Sequence, residues 1–383
     1  MTEPLNGAPL AILHVLSTPR AEGTPNLVLD WLSFSCYRQD VLVLNRTPSD
    51  LTHNLESLAS WYEEKSLFTL SRLRKFLGII LAIFQACRDR RPQLLICWPN
   101  GFALWVCLGA RLAQRRNIQL IVHCGNPPRR GNKADWLTRF NLVPVWAMGA
   151  HCICCSNYVR DSFRAIRGMP KSLFQTVYNC ARISEIKERA TSAKTIPHRE
   201  RIGIMVGTLE AHKDHGTVLR AMPEILAGCP NFQLRFVGDG SLRAGLERLA
   251  DDLNVNSAVE FLGSRTDIAE LMGSSDIFVF STTEQEGFGT VLIEALAAGL
   301  PVVATNCAAC REVLADGAYG ILVEPNNPSA WAKQILAVLD QQSPAIDRHT
   351  LSSYLARFTI QRMMSGYLQL RQTDGPSGHD WRI

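Results

Sequence analysis

No stretch of this 383-residue sequence is long and apolar enough, without interruption, to read as a membrane span. Two uncharged windows, Pro92–Ala110 and Phe140–Val159, come near that length, but turn chemistry breaks each, at Pro99-Asn100-Gly101 and at Pro144. Both read instead as strand, loop and helix pieces. Also missing are a basic leader ahead of an apolar core at the N-terminus, where Glu3 stands, and any low-complexity tract or internal repeat. No secretory signal is expected, so the expected location is cytoplasmic, and disorder is expected only at the ends. There is no DxD carboxylate pair in a metal-binding setting, and Cys307-Ala-Ala-Cys310 has no second CxxC at zinc spacing. Neither a metal nor a cofactor is expected.

Cysteine itself is plentiful, with 12 in the chain. Cys97, Cys152 and Cys154 sit in apolar runs, where a free thiol behaves as a small hydrophobe. In His151-Cys-Ile-Cys-Cys155, strand alternation sends Cys152 and Cys154 to one face and Cys155 to the other, which argues against a ligand cluster. Acidic charge is short in the first half. Residues 1–190 hold 24 Lys and Arg against 13 Asp and Glu, a balance of +11, whereas residues 191–383 hold 16 against 22, or −6. A basic half suggests an anionic partner. Arg72, Arg74, Lys75 and Arg88, Arg90, Arg91 flank apolar Phe76–Cys87, the pattern of an interfacial amphipathic helix or of a core helix with solvated ends. The basic residues are not interleaved with aromatics on strands, which disfavours nucleic acid.

What is present is a doubly repeated α/β pattern. Short Val-, Ile- and Leu-rich runs recur at spacings that leave room for a helix, the mark of parallel strands covered on both faces. They are Ala11–Leu16, Asp40–Asn45, Gln93–Trp98, Gln119–His123, His151–Ser156 and Phe174–Tyr178, then Ile202–Gly207, Gln233–Gly238, Val259–Leu262, Ile277–Ser281, Pro301–Thr305 and Gly320–Val323. Each half reads as its own Rossmann-like doubly wound sheet, and two such domains facing one another imply a cleft. The expected division is a domain over 1–190, a polar linker over Ser184–Glu200, a second domain over 200–345, one helix within 346–372 that crosses back to the first domain, and a loose tail over 373–383.

The chemistry concentrates after the strand Ile277–Ser281. There Glu286-Gly-Phe-Gly-Thr290 leads into an apolar helix, with Thr290 as the expected N-cap and Gly299 as the stop. Gly287 and Gly289 then fall where backbone N–H groups point outward at a helix N-terminus, a natural phosphate site. Glu286 and Glu294 lie eight residues apart and can both grip a polyhydroxylated ligand. Each also has a plain structural reading, Glu286 as a solvated side chain and Glu294 as a partner of the helix dipole.

The stretch Glu286-Gly-Phe-Gly-Thr-Val-Leu-Ile-Glu294-Ala-Leu-Ala-Ala-Gly-Leu-Pro-Val-Val resembles the E-x7-E signature of the retaining GT-B glycosyltransferases of family four. Gly207-Thr-Leu with Lys213, Val237-Gly-Asp-Gly240, Phe261-Leu-Gly263 and Arg311-Glu-Val313 follow in the same order, and His123, Ser156 and Tyr178-Asn179 match more weakly. The resemblance implies a GT-B fold and a metal-independent hexosyltransferase that takes its sugar from a nucleotide diphosphate and retains the anomeric configuration. It implies that Glu286 meets donor-sugar hydroxyls, Glu294 the ribose, and Gly287, Phe288, Gly289 and Thr290 the sugar and diphosphate. Lys213 would neutralise the leaving diphosphate, Gly263 and Arg265 would lie against the base, His123 would face the reacting centre, and Gly23 would approach the phosphates. Two positions depart from the family. Thr208 stands where Arg is usual, and Gly23-Thr-Pro replaces paired glycines. The expected setting is cell-surface polysaccharide or lipid-linked glycan synthesis, with a lipid-linked or saccharide acceptor and peripheral attachment at the inner membrane face through the basic first domain. The rival readings are a catalytically silent GT-B scaffold and a GT-B sugar-nucleotide epimerase.

Overall fold

In the computed structural model the described residues are 10–20, 23–34, 37–49, 51–113, 117–193, 200–340 and 347–370. The tail expected over 373–383 lies outside them. The chain divides into two compact units, Met1–Asn179 with Ile360–Ile383, and Cys180–Thr359. The boundary thus falls at residue 179 rather than 190.

The first unit runs β1 (Ala11–Leu16), α1 (Gly23–Phe34), β2 (Arg38–Val43), α2 (Leu51–Leu58), β3 (Trp61–Glu64), α3 (Arg72–Arg90), β4 (Leu94–Cys97), α4 (Ala103–Leu112), β5 (Gln119–Cys124), α5 (Asn132–Ala147), β6 (Ala150–Cys154), α6 (Asn157–Arg164) and β7 (Phe174–Thr176). Its strands form one parallel sheet in the order β3-β2-β1-β4-β5-β6-β7. β1 is buried along its whole length, as a strand covered by helices on both faces must be, and this is why it reads as an unbroken apolar run. Asp40 on β2, fully buried, takes a bidentate pair from Arg90 at 3.1 and 3.2 Å, which fastens the end of α3 to the sheet. Arg38 reaches the same carboxylate at 3.5 Å, so the buried charge is shared between two partly exposed guanidinium groups.

The second unit runs α7 (Ile183–Ala193), β8 (Arg201–Val206), α8 (His215–Gly228), β9 (Phe232–Val237), α9 (Arg243–Asp252), β10 (Val259–Phe261), α10 (Ile268–Gly273), β11 (Ile277–Phe280), α11 (Thr290–Ala297), β12 (Val302–Thr305), α12 (Ala308–Val313), β13 (Ile321–Val323), α13 (Pro328–Leu339) and α14 (Arg348–Leu355). Its sheet is parallel in the order β10-β9-β8-β11-β12-β13. Met205, Phe232, Phe236, Ile277, Val303 and Trp331 are among the side chains that fill its core. The chain then re-enters the first unit as α15 (Ile360–Gln369).

Two expectations are corrected here. Of the segment read as a linker, 194–199 lie outside the described residues, and Ser184–Ala193 belongs to helix α7, whose Arg189 forms a bidentate pair with Glu270 of α10 at 2.8 and 2.9 Å. Most of its residues are polar because it is a surface helix held by ion pairs as well as by its buried Ala190. The single final helix is instead α14, a 3-10 turn and α15, broken at extended Thr359 (ψ 155°).

Candidate active site

In both sheets the strand order reverses between the first and fourth strands of the unit, at β1/β4 and at β8/β11. Such switch points open a crevice at the carboxyl ends of the strands, where open α/β sheets bind ligands. At β8/β11 the loop after β8 brings Lys213 and the loop after β11 brings Glu286. Lys213 Nζ lies 2.5 Å from Glu286 Oε2, and both side chains are mostly buried. The lysine stem runs across Gly207, where a Cβ would lie 3.7 Å from it, and its ammonium stands 5.1 Å from the Phe280 ring centroid.

The two loops are bolted together by hydrogen bonds onto backbone carbonyls of the β8 loop. Thr282 Oγ1 donates to His212 O at 2.8 Å, Thr283 N–H donates to the same carbonyl at 3.0 Å, and Ser281 Oγ donates to Asp214 O at 2.7 Å. Lys213 is therefore presented by a turn that the β11 loop itself holds.

Glu286 Oε1 accepts N–H bonds from Gly287 (3.2 Å), Phe288 (3.3 Å) and Gly289 (3.0 Å). These three N–H groups do not point outward as expected; they close on the carboxylate that precedes them. Burial pushes the Glu286 carboxyl up, but the charge and hydrogen bond of Lys213 and the Phe288 N–H outweigh it, so the group lies below the usual carboxylate range. Gly289, not Thr290, is the residue before α11, and its φ of 77° is the left-handed conformation that glycine adopts without strain. Thr290 is the first helical residue and Glu294, half buried, the fifth. As at any helix start, the first-turn N–H groups of α11 have no partner within the helix, and the dipole favours an anion there.

The other sites expected in this unit are more dispersed. Thr208 lies in the β8 loop, half buried. Gly263 (φ 66°) bridges to Gly238, whose N–H donates to Gly263 O at 2.8 Å. Arg265 is exposed and held in a bidentate pair by Asp267 at 2.6 and 2.8 Å. Sequence reasoning passed over His215, which is buried on α8 with neither ring nitrogen bonded, and burial with the nearby Lys213 holds it down at about 3.

The first unit builds a neutral site at β1/β4. A small cavity of about 80 Å³ is lined by Ser17, Thr18, Thr24 and Trp98 among others. Below it Trp98 Nε1 donates to His14 Nδ1 at 3.2 Å, so the His14 Nε2–H donates to Gln39 Oε1 at 3.0 Å, and Gln39 Nε2 donates to Trp31 O at 3.0 Å. His123, at the end of β5, lies 4.9 Å from the Trp98 ring and shares a 2.7 Å hydrogen bond between Nδ1 and the Tyr367 phenol of α15. Burial pushes both imidazoles down to about 4. Gly23 begins α1, and a Cβ there meets nothing within 4 Å, so the backbone is open at that point. The Tyr367 contact was invisible in the sequence, where nothing links positions 123 and 367.

Among the described residues no group of three or more His, Cys, Asp or Glu is placed to hold a metal ion. None of the described cysteines is joined in a disulfide, and none of the described helices is long and apolar enough to cross a membrane.

The profile of glycosyl transferases group 1 matches residues 186–357, the span that carries Lys213, Glu286 and Glu294. That span is similar to the glycosyl transferases group 1 family. The chain is 34% identical over 203 residues to a D-inositol 3-phosphate glycosyltransferase of Corynebacterium jeikeium, covering 50% of this chain and 48% of that one. It is 38% identical over 138 residues to a phosphatidyl-myo-inositol mannosyltransferase of Mycobacterium tuberculosis, covering 34% and 35%. The chain spans about half the length of the curated relatives it matches, or less. Among solved structures it resembles Anabaena HepE in complex with UDP and glucose, with a TM-score of 0.78 at 18% identity over 95% of this chain and all of that one. A glycosyltransferase from Rickettsia africae gives a TM-score of 0.75 at 16% identity, covering 95% and 98%. These likenesses give the chain, with its two Rossmann-like units, the GT-B fold.

Proposed function

We propose that the chain is a retaining glycosyltransferase that moves a hexose from a nucleotide diphosphate to a hydroxyl acceptor. The observation that carries the reading is the Lys213–Glu286 pair at the β8/β11 switch point, directly ahead of the first turn of α11. Breaking the sugar–phosphate bond puts charge on the leaving diphosphate, and a preset ammonium with helix N–H groups stabilises that charge without reorganisation. Lys213 and the N–H groups of Thr290 and Val291 are assigned to the diphosphate. Glu286 and Glu294 are assigned to the sugar and ribose hydroxyls, and Gly263 to the base. Arg265 must leave Asp267 to reach a ligand. His123 is assigned a catalytic role as a neutral imidazole.

In the resting arrangement Glu286 occupies both the Lys213 charge and the Gly287–Gly289 N–H cradle. Donor binding then shares or displaces that carboxylate, so Lys213 serves the phosphate while Glu286 turns to hydroxyls. The basic first half and the phosphatidylinositol named for one relative favour a lipid-linked acceptor at an anionic membrane, with attachment at its inner face.

Incubation with a panel of uridine and guanosine diphosphate sugars should give donor-dependent release of the nucleoside diphosphate. Absence of release from every donor, with the fold intact by circular dichroism, would leave a catalytically silent GT-B protein; conversion of the donor sugar without transfer would make it an epimerase.

A further inference from the structure

Apart from Leu242, every large hydrophobic exposed among the described residues lies in the first unit, and they concentrate on its α3/α4/α5 layer. On α5, Leu142 and Val145 face inward and are buried. The opposite stripe of a surface helix is ordinarily polar. Here it carries Trp136, 54% exposed, Leu137, 43%, and Phe140, 50%, with Trp146 near the C-terminal end at 48%. The Trp136 and Phe140 rings stack with centroids 5.5 Å apart and an interplanar angle of 17°. Together with Arg139, Val143 and Pro144 they border an open concavity of about 410 Å³. Two helices away, with α4 packed between them, α3 exposes Leu73, Leu77 and Leu81 at i, i+4 spacing.

Cations frame the aromatic stripe. Arg129, Arg130 and Lys133 are exposed at its N-terminal end, and Arg139 donates to the carbonyl of exposed Arg167 at 3.1 Å. The one acid in residues 125–151 is Asp135, paired with Arg130 at 3.5 Å. Rigid indole and phenyl rings beside arginines and lysines suit the boundary between headgroups and acyl chains, where rings enter and cations meet phosphate. A second copy of the chain suits the face poorly. A two-fold contact would bring Arg129, Arg130 and Lys133 of both copies into one interface, with Asp135 of each as the one acid of residues 125–151 to offset them.

We propose that α5 is the edge by which this protein enters an anionic membrane surface, Trp136, Phe140 and Trp146 inserting while Arg129, Arg130 and Lys133 bind lipid phosphate. This surface is distinct from the Lys213–Glu286 site, and the proposal holds or fails independently of the transferase reading.

The test uses the full chain with vesicles of phosphatidylcholine alone and of phosphatidylcholine with phosphatidylglycerol. Wild-type protein should sediment only with the anionic vesicles, less so as salt rises, and its tryptophan emission should be quenched by brominated acyl chains. The double variant Trp136→Ser/Phe140→Ser, at exposed positions, should keep its circular dichroism and melting temperature yet bind at least about tenfold more weakly. Lys133→Glu should weaken binding about fivefold or more, and Trp136→Phe should reduce the quenching. The proposal is overturned if the double variant binds as well as wild type, if neutral vesicles bind equally or no vesicle binds, or if quenching is unchanged in Trp136→Phe. It is overturned too if the double variant converts a dimer to a monomer in sedimentation equilibrium, which would make the face a protein interface.

Discussion

Two crevices of the same topology differ in one respect that decides what each can bind. At β8/β11 the groups are charged: an ammonium, a carboxylate held ionised by it, and a helix N-terminus. At β1/β4 they are neutral: hydroxyls over a relay of indole, imidazole and amide, and a second imidazole bonded to a phenol. Both sheets supply a crevice for the same backbone reason, the reversal of strand order. The loops then set its electrostatics. A diphosphate needs the first kind of site, and an uncharged polyol is served by the second, where no ion must be stripped of water.

The comparison is broken most forcefully by removing the cation. Lys213→Ala should lower kcat for donor-dependent transfer by about 10²–10³-fold, measured at a temperature where circular dichroism shows the variant folded, since losing the cation also leaves buried Glu286 unpaired and lowers the melting temperature; equal loss of kcat from substituting any exposed lysine would erase the distinction. Acid should act next. His14 and His123 have folded values near 4 against about 6.5 unfolded, so the unfolded chain binds more protons between those limits. Their contribution is complete above pH 6.5 and is lost as pH falls toward 4, on the order of 3 kcal/mol for each imidazole. His215, held down at about 3 by its burial and by Lys213, adds a further loss of the same sign in the second unit. Urea unfolding at stepped pH should show stability falling through this window, and a flat profile would mean that the imidazoles are charged in the fold.

Tyr367→Phe keeps the ring against Trp31 and Trp98 but strips the partner from buried His123. A loss of about 1–3 kcal/mol is expected by urea unfolding. The smallest effect is assigned to Arg265→Ala, which should change KM for donor by less than about threefold, since the guanidinium is exposed and already paired with Asp267. A larger change would mean that Arg265 leaves Asp267 for the ligand.

Most of the fold was legible because parallel strands buried on both faces advertise themselves as apolar runs, and twelve of the thirteen strands coincide closely with such runs. The exception, β3, is an edge strand of four half-buried residues, Trp-Tyr-Glu-Glu, in which burial imposes no apolar pattern. Helix α7 was read as linker because most of its residues are polar and its buried side chain is the small Ala190, which gives only a faint apolar signal. In the site, Glu286, Glu294 and the glycines were legible because they lie within one short segment. The inward turn of the Gly287–Gly289 N–H groups was not, since spacing says where such groups stand and not which acceptor reaches them first. The aromatic stripe of α5 was hidden because the sequence alone does not tell whether Trp136, Leu137 and Phe140 face the core or solvent; their exposure does.

The central claim is that the Lys213–Glu286 crevice receives a nucleoside diphosphate. Thermal unfolding of wild type and Lys213→Ala with uridine and guanosine diphosphates tests it most directly, because a ligand bound only to the native state raises its stability. One of the two nucleotides should raise the wild-type melting temperature in a concentration-dependent way, and the rise should vanish or shrink markedly in Lys213→Ala. No shift with either nucleotide, or a shift that survives intact without Lys213, would contradict the account.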